Sequence, residues 1–404
     1  MLGASRKAKG WLTIATALVF AVGVVLAALP AAAEKKEVVI GVSIALSGNY
    51  SKSGALTLRG YEMWAKDINS RGGLLGRRVV LKVYDDKSDP TTGAKLTEKL
   101  ITQDKVDLIL GPYSSPVTFA SSTVAEKYGF PMIAGGSSSP KPFRRGFRYL
   151  FQVMRHNTDA LLGVVTLVAE RGAKTVAAMH QNTIFTTTLI RSAVKHAKAK
   201  GLKVMFVDKY PKGTSDFSSI LIRMKALNPD VILVGGYYPD GVAILKQIKE
   251  LDINPKHLSI TLAAGYDEFG ETLGSDAEDI STYTGWERYF NTPGNKEFVE
   301  YYHRLYGKAR RIDSHVAYGW VAAKVLEKAA NMAGSLDREK IRDAMERLRL
   351  RSIMPGEYQV EKGGLQVGHE WVAIQWQKGR KEVVWPPEVA TSTFVYPTKS
   401  WKER

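Results

Sequence analysis

The sequence contains no cysteine, which excludes disulfide bonds, thiolate metal sites and a cysteine nucleophile. Its seven histidines are dispersed, and His369-Glu370 lacks the later histidine that completes a zinc-binding His-Glu-x-x-His helix. The Gly-x-x-x-x-Gly-Lys loop that binds nucleotide phosphates is also missing. We therefore expect no metal and no cofactor, and any ATPase that works with this chain must be another polypeptide.

Long apolar runs are rare too: one stretch, residues 11–29, is long enough to cross a membrane. Arg6, Lys7 and Lys9 precede it, the small residues of segment 30–33 follow it, and a charged segment comes next. This order is typical of a secretory signal peptide. We expect cleavage after residue 33 and a periplasmic mature protein. Because the run is long, retention as a membrane anchor is the alternative.

Acidic residues are scarce relative to basic ones. The formal net charge is +17, of which the leader contributes three, so +14 remains on the mature chain. Such an excess can indicate a nucleic-acid partner, but the basic residues are spread along the chain without a nucleic-acid-binding motif. We expect a basic envelope protein and no nucleic acid.

The hydrophobic pattern alternates between strands and helices, twice over. Short β-branched runs and helical periodicity follow each other from residue 38 to 134, and the alternation starts again at residue 160 and continues to 262. Helices are predicted over 295–306, 314–333 and 337–347, followed by an antiparallel region around 358–376. Strands joined by helices form parallel, doubly wound sheets. The sequence therefore predicts an α/β protein with two similar lobes.

An ordered set of short motifs carries a resemblance that covers nearly the whole mature chain. The motifs occupy segments 40–48, 69–76, 84–90, 111–115, 217–222 and 235–240. In this order and spacing the chain resembles the Leu/Ile/Val-binding proteins of bacterial branched-chain amino acid ABC transporters. The resemblance implies a type I periplasmic binding protein fold, in which three crossover strands join two lobes that close on a small ligand.

The same resemblance implies domain boundaries and a function. The N-terminal lobe would comprise residues 34–155 and 287–354, and the C-terminal lobe residues 156–286 and 355–404. The crossovers would fall near 151–157, 283–289 and 355–358. The function implied is that of a non-enzymatic, monomeric solute-binding protein, which delivers a branched-chain or other hydrophobic amino acid to an ABC permease. An aromatic acid or an amide-type solute is the alternative.

Two Gly/Ser-rich loops follow neighbouring strands in the first lobe. Ligands in such sheets bind beyond the carboxyl ends of the strands, and hydroxyl groups beside a helix start can receive a carboxylate. By resemblance, Ser114 and Ser138 bind the ligand carboxylate and the Gly136 carbonyl binds its ammonium group. Ser115 and Ser137 are candidates from the same loops. The alternative is that these serines only cap helices.

The second lobe offers four further candidates. Tyr237 aligns with a tyrosine that covers the ligand in the family, whereas Phe185 stands where the family often has a tyrosine and removes a hydroxyl group. The family's ammonium-binding glutamate has no clean match. Asp267 could replace it through a charge-assisted pair, or Tyr266 could occupy that place.

A distant alternative is an exported serine hydrolase. Ser138-Ser139-Pro140-Lys141 matches the Ser-x-x-Lys pattern of penicillin-binding enzymes. Neither of the partner motifs, Lys-Thr-Gly or Ser-Asp-Asn, is present in the sequence. The expectation is therefore a binding protein.

Overall fold

The first sheet of the structure is built from the N-terminal part of the chain. The computed structural model describes residues 36–404, and the predicted signal peptide lies outside them. The strands are β1 (Glu37–Ile44), β2 (Arg78–Asp85), β3 (Leu108–Leu110), β4 (Met132–Ala134) and β5 (Leu150–Gln152), in the order β2-β1-β3-β4-β5. β1, β3, β4 and β5 pair in parallel, as the alternating pattern predicts.

Three helices connect these strands: α1 (Ser51–Ser70), α2 (Pro90–Thr102) and α3 (Ser115–Lys127). Local signals fix the start of α2. The Asp89 side chain accepts a hydrogen bond from the Thr92 N–H at the start of α2, and Pro90 occupies its first turn. Both features are typical of helix N-termini.

The second lobe repeats this construction. Its elements are α4 (Leu162–Glu170), β6 (Thr175–Gln181), α5 (Ile184–Ala199), β7 (Lys203–Tyr210), α6 (Ser218–Leu227), β8 (Val231–Gly235), α7 (Tyr238–Glu250), β9 (His257–Ile260), α8 (Asp267–Leu273) and β10 (Ser281–Thr284). These strands lie in the order β10-β9-β8-β6-β7, and two later strands extend the sheet beyond β10. Every residue of β8, β9 and β10 is buried, as expected for strands covered on both faces.

The chain then returns to the first lobe with the helices α9 (Asn295–Tyr306), α10 (Ser314–Ala333) and α11 (Arg338–Arg347), followed by the paired short strands β11 (Leu350–Arg351) and β12 (Glu357–Tyr358). The last two strands, β13 (Val372–Gln377) and β14 (Arg380–Trp385), extend the sheet of the second lobe in the order β14-β13-β10. Short 3₁₀ helices also occur, at Lys141–Arg144, Ala263–Gly265, Gly274–Ala277 and Pro387–Val389. β13 pairs antiparallel with β10 and with β14, which confirms the predicted antiparallel terminal region.

Helix α10 packs directly on α1. A Cβ added to Gly60 would lie 2.2 Å from the Val316 carbonyl oxygen, and one added to Gly319 would lie 2.2 Å from the Thr57 carbonyl oxygen. The two backbones therefore touch where only glycine fits. This contact fixes the first turn of α10, which reaches the candidate site described below.

The chain passes between the two sheets three times, as the fold class requires. The passages lie between β5 and α4, between β10 and α9, and between β12 and β13. The third comes later than the predicted segment 355–358. The Gln152 N–H donates to the Gly364 carbonyl at 2.9 Å, and the Gln366 N–H donates to the Gln152 side chain, so the chain still borders β5 there.

Candidate functional site

Two loops at the carboxyl ends of β3 and β4 are joined to each other. The Ser114 N–H donates to the Gly136 carbonyl at 3.0 Å. A Cβ at Gly136 would lie 2.2 Å from the Tyr113 ring, so only glycine allows this approach. The two loops therefore form one continuous wall.

Hydrogen bonds of Ser115 and Ser137 brace this wall. The Ser115 hydroxyl accepts hydrogen bonds from the Ser139 N–H at 3.1 Å and from the Ser137 hydroxyl at 3.2 Å. The Gln152 side-chain amide donates to the Ser137 carbonyl at 2.9 Å. In contrast, the Ser138 hydroxyl forms no hydrogen bond with another residue in the described range 36–404.

Ser114 is the N-cap residue of α3 and has an unusual backbone. Its φ is +82° and its ψ is +142°, a region that is costly for any residue except glycine. Its hydroxyl accepts only a long hydrogen bond, 3.4 Å, from the Val117 N–H. Ser114 thus holds its side chain at the positive end of the helix, at the cost of backbone strain.

A strained turn also occurs in the second lobe, directly after β9. Leu262 has φ +57° and ψ −62°, and the Ala263 N–H donates to the Thr261 carbonyl at 2.7 Å. This geometry is that of the γ-turn with positive φ at its central residue, which is rarer and more strained than the inverse γ-turn. Strained residues that a fold retains tend to cluster at ligand sites.

Aromatic rings from both lobes meet beside these turns. Tyr237, the N-cap residue of α7, lies 4.4 Å from the Tyr50 ring of the first lobe and 5.7 Å from the Phe185 ring, measured between centroids. Polar contacts also cross between the lobes: Lys52 pairs with Glu268, and the Lys212 ammonium donates to the Ser88 carbonyl at 3.1 Å. The lobes are therefore closed on each other.

The closed lobes enclose a small cavity of about 20 Å³. A single water molecule needs roughly 10 to 15 Å³, so a larger solute requires the lobes to move apart. Both lobes contribute to its lining, which is made of Tyr113, Ser114, Ser115, Gly136, Ser138, Met154, Phe185, Tyr237, Leu262, Tyr283 and His315. None of the side chains in this lining is a carboxylate, a lysine or an arginine.

Comparison with known proteins agrees with this two-lobed arrangement. A family model described as periplasmic binding protein matches residues 37–381. The chain belongs to the periplasmic binding protein family. It is 26% identical over 388 residues to Leu/Ile/Val-binding protein homolog 7 of Brucella melitensis biotype 1, covering 92% of this chain and 96% of the relative.

Two solved structures show the same fold of a periplasmic binding protein. The leucine-binding protein LivK of Thermotoga maritima has a TM-score of 0.78 at 24% identity, covering 86% of this chain and 97% of that one. A solute-binding protein of an ABC transporter from R. palustris, in complex with benzoate, has a TM-score of 0.78 at 19% identity, covering 86% and 95%. The type I fold expected from the sequence is confirmed.

Within this periplasmic binding protein, most of the predicted site residues come together. Ser114, Ser115, Gly136, Ser138, Phe185 and Tyr237 line the cavity. Ser137 lies behind Ser115. The cluster forms because the loops after neighbouring parallel strands reach the same edge of a sheet.

Asp267, the candidate for a ligand ammonium group, lies elsewhere. Its carboxylate is buried and pairs with the Lys381 ammonium at 3.2 Å and with the Arg288 guanidinium. Burial raises the pKa of Asp267, but the charges of Lys381 and Arg288 outweigh that effect and hold its pKa below the usual value. Asp267 lines a different pocket, together with Glu287.

Tyr266 stands between these two regions. Its hydroxyl forms a hydrogen bond with the Ser53 hydroxyl of the first lobe. Its ring stacks on the His315 ring, with 5.3 Å between centroids and 4° between planes. Tyr266 thus supports a lining residue from behind.

His315 is a lining residue that the sequence does not reveal. It lies in the first turn of α10, where a lone histidine on a buried helix carries no motif. Its side chain is 3% exposed, and neither ring nitrogen has a hydrogen-bond partner among residues 36–404. Met154, Leu262 and Tyr283 were also not predicted, because they come from crossover or turn segments without a signature.

The geometry gives no support to the hydrolase alternative. Lys141 is exposed to solvent, and only its backbone N–H contacts this loop, by donating to the Ser139 hydroxyl at 3.4 Å. The Ser138 hydroxyl has no hydrogen bond to the Lys141 ammonium in the described structure. A Ser-x-x-Lys nucleophile needs its lysine beside the serine.

Proposed function

We propose that this chain is the extracytoplasmic solute-binding protein of an ABC importer. It is exported by a cleaved signal peptide, captures one small solute between its lobes as a monomer and delivers it to the membrane subunits. The family membership supports this role, and so does a cavity whose walls come from both lobes. A ligand that contacts Ser114 on one lobe and Tyr237 on the other stabilises the closed state.

The solute carries a carboxylate. Two serine hydroxyls, those of Ser114 and Ser138, face the cavity without a short hydrogen bond to another residue. Ser114 also caps α3, and the first turn of a helix binds anions through its free N–H groups and its dipole. These donors together form a carboxylate site without a cationic side chain.

The rest of the solute is hydrophobic and carries no amine. One observation supports this most strongly: no acidic side chain lines the cavity. The two candidate partners of an ammonium group already have partners of their own, since Asp267 pairs with Lys381 and the Gly136 carbonyl accepts the Ser114 N–H. A buried ammonium without a partner is costly. We therefore favour an aromatic or branched aliphatic acid, and the structural relative from R. palustris holds benzoate.

A branched-chain or other hydrophobic amino acid is the second candidate. The relatives named Leu/Ile/Val-binding proteins favour it. The Gly136 carbonyl also retains a second lone pair, because a carbonyl oxygen can accept two hydrogen bonds.

Calorimetry with four matched probes tests these proposals. Leucine and 4-methylpentanoate share a carbon skeleton and differ in the amine, whereas benzoate and benzamide share a ring and differ in the charge. We expect 4-methylpentanoate to bind at least tenfold tighter than leucine, and benzoate to bind tighter than benzamide. Tighter binding of leucine would establish the second candidate, tighter binding of benzamide an amide-type solute. Failure of all four to bind or to raise the Tm would reject this solute class.

A further inference from the structure

His315 brings two ring nitrogens to the cavity that could form hydrogen bonds but form none with the described residues. It is buried and lines the cavity, yet both ring nitrogens lack a partner among the described residues. The hydroxyl of Tyr237, another lining residue, is also buried without a partner there. Buried polar groups are nearly always hydrogen-bonded, and an exception in a native protein calls for an explanation.

The packing around His315 holds the ring in one orientation. Tyr266 stacks on one face, and the rings of Tyr113 and Tyr318 lie edge-on at centroid distances of 5.3 and 5.4 Å. The helix that carries it is fixed by the close contact of Gly60 with Gly319. Such a preorganised group discriminates between ligands, because it does not rearrange to suit each one.

The ring is also uncharged. Burial, followed by the nearby Lys52 ammonium, lowers the pKa of His315 to about 3. A neutral imidazole has one N–H donor and one acceptor nitrogen. It therefore suits an uncharged oxygen group, whereas a second carboxylate would be buried without a cation.

We propose that His315, assisted by the Tyr237 hydroxyl, recognises a second, uncharged oxygen group on the solute. The solute is then a small carboxylic acid that also bears a hydroxyl or a carbonyl group. This inference rests on the proposed function and narrows it: the serine loops bind the carboxylate, and His315 selects among acids of similar size.

Two probe series test the selection by calorimetry. The first compares benzoate with 2-, 3- and 4-hydroxybenzoate, and the second compares 4-methylpentanoate with 4-methyl-2-oxopentanoate. We expect at least one oxygenated probe to bind the unaltered protein about tenfold tighter than its plain partner, because a site built for a hydrogen bond penalises a ligand that lacks it.

The variants His315→Phe and Tyr237→Phe separate recognition from packing. His315→Phe keeps a ring in the aromatic stack and removes both nitrogens, so the ratio of affinities between oxygenated and plain acids should fall from about tenfold to about one. Tyr237→Phe removes only the hydroxyl and should reduce the preference less. His315→Gln supplies an amide donor and acceptor and should restore part of it.

Stability provides an independent readout. Removing buried, unpartnered nitrogens should leave the Tm of solute-free His315→Phe equal to or above that of the unaltered protein. A preference retained by His315→Phe, or the absence of any preference in the unaltered protein, would overturn the inference while the proposed function stands. Failure of both the plain and the oxygenated acids to bind would reject both.

Discussion

Two buried polar regions lie side by side in this protein, and they differ in how their polar groups are satisfied. The cavity is lined by uncharged groups, and two of its residues, His315 and Tyr237, have buried polar atoms without a hydrogen-bond partner among residues 36–404. The neighbouring ion cluster consists of Asp267, Glu287, Arg288 and Lys381, and its charges pair with one another. The boundary falls between consecutive residues, since Tyr266 faces His315 and Asp267 faces Lys381.

This difference in hydrogen bonding indicates that the ion cluster stabilises the fold, whereas the cavity binds a ligand. A buried charge is tolerated only when it is paired, so the ion cluster is complete without a ligand. A buried neutral group that lacks a partner costs less, and a ligand can supply the missing bond. Changes in the ion cluster should therefore alter stability, whereas changes in the cavity should alter affinity.

The largest expected effect comes from removing the central cation of the ion cluster. Lys381→Met leaves Asp267 and Glu287 buried without the ammonium that lies 3.2 and 2.8 Å from them. Breaking a buried ion pair in this way costs about 3 to 5 kcal/mol. Urea unfolding measures the loss. The control Lys362→Met, at an exposed lysine, should change stability by less than about 0.5 kcal/mol.

A second effect concerns a buried carboxylate that lies in neither region. Asp86 is fully buried and accepts the Ser88 N–H at 2.9 Å, while its second carboxylate oxygen has no partner among the described residues. Burial raises the pKa of Asp86 to about 7, although the Ser88 hydrogen bond opposes the shift. The folded protein therefore holds this proton at pH values where the unfolded chain has released it.

Stability should consequently fall as the pH rises from about 4 to 7, by up to about 4 kcal/mol for a shift of this size. Asp86→Asn should remove that slope in urea unfolding measured at several pH values. The neighbouring Asp85 is a control of opposite sign: burial raises its pKa, but hydrogen bonds from Ser47 and Leu46 together outweigh burial and hold the pKa below the usual value. Parallel curves for the unaltered protein and Asp86→Asn would contradict the expectation.

A third effect should appear in affinity rather than in stability. Ser114→Ala combined with Ser138→Ala should weaken benzoate binding by about 1 to 3 kcal/mol for each charge-assisted hydrogen bond lost, as measured by calorimetry. The control Ser122→Ala removes a buried hydroxyl that donates to the Phe119 carbonyl on α3, away from the cavity lining. Unchanged affinity in the double variant would remove both serines from the carboxylate site.

The contrast between apolar and polar buried segments also explains which strands can be predicted from the sequence. Strands such as β8 are continuous apolar runs, so their pattern is visible. β10 reads Ser281-Thr282-Tyr283-Thr284 and is equally buried. The Ser281 hydroxyl is hydrogen-bonded to the His257 ring at 2.7 Å, and the Thr284 hydroxyl donates to the Trp286 carbonyl at 2.8 Å. β14 contains the buried Lys381 and resembles a surface segment. Hydropathy misses strands whose polar groups are satisfied by distant partners.

The candidate site follows the same logic. Ser114 and Ser138 are predictable because a loop after a strand is a local feature of the sequence. The partners of Asp267 are not local, since Arg288 and Lys381 lie on a crossover segment and on β14. The sequence could therefore suggest a carboxylate near the ligand but could not show that two cations already pair with it. His315 was missed for the converse reason, because its lack of partners is visible only in three dimensions.

The smallest expected effect tests whether the Ser114 backbone is strained and whether its conformation contributes to ligand binding. Ser114→Gly and Ser114→Ala remove the same hydroxyl, but only glycine adopts φ +82° without a steric penalty. The glycine variant should therefore be more stable than the alanine variant by about 1 kcal/mol, since relief of strain exceeds the added flexibility of the unfolded chain. Both variants should lose affinity for benzoate equally. Urea unfolding and calorimetry on the pair decide the matter: equal stability would show that the Ser114 backbone is unstrained, and unequal affinity would show that the backbone itself, beyond the hydroxyl, contributes to binding.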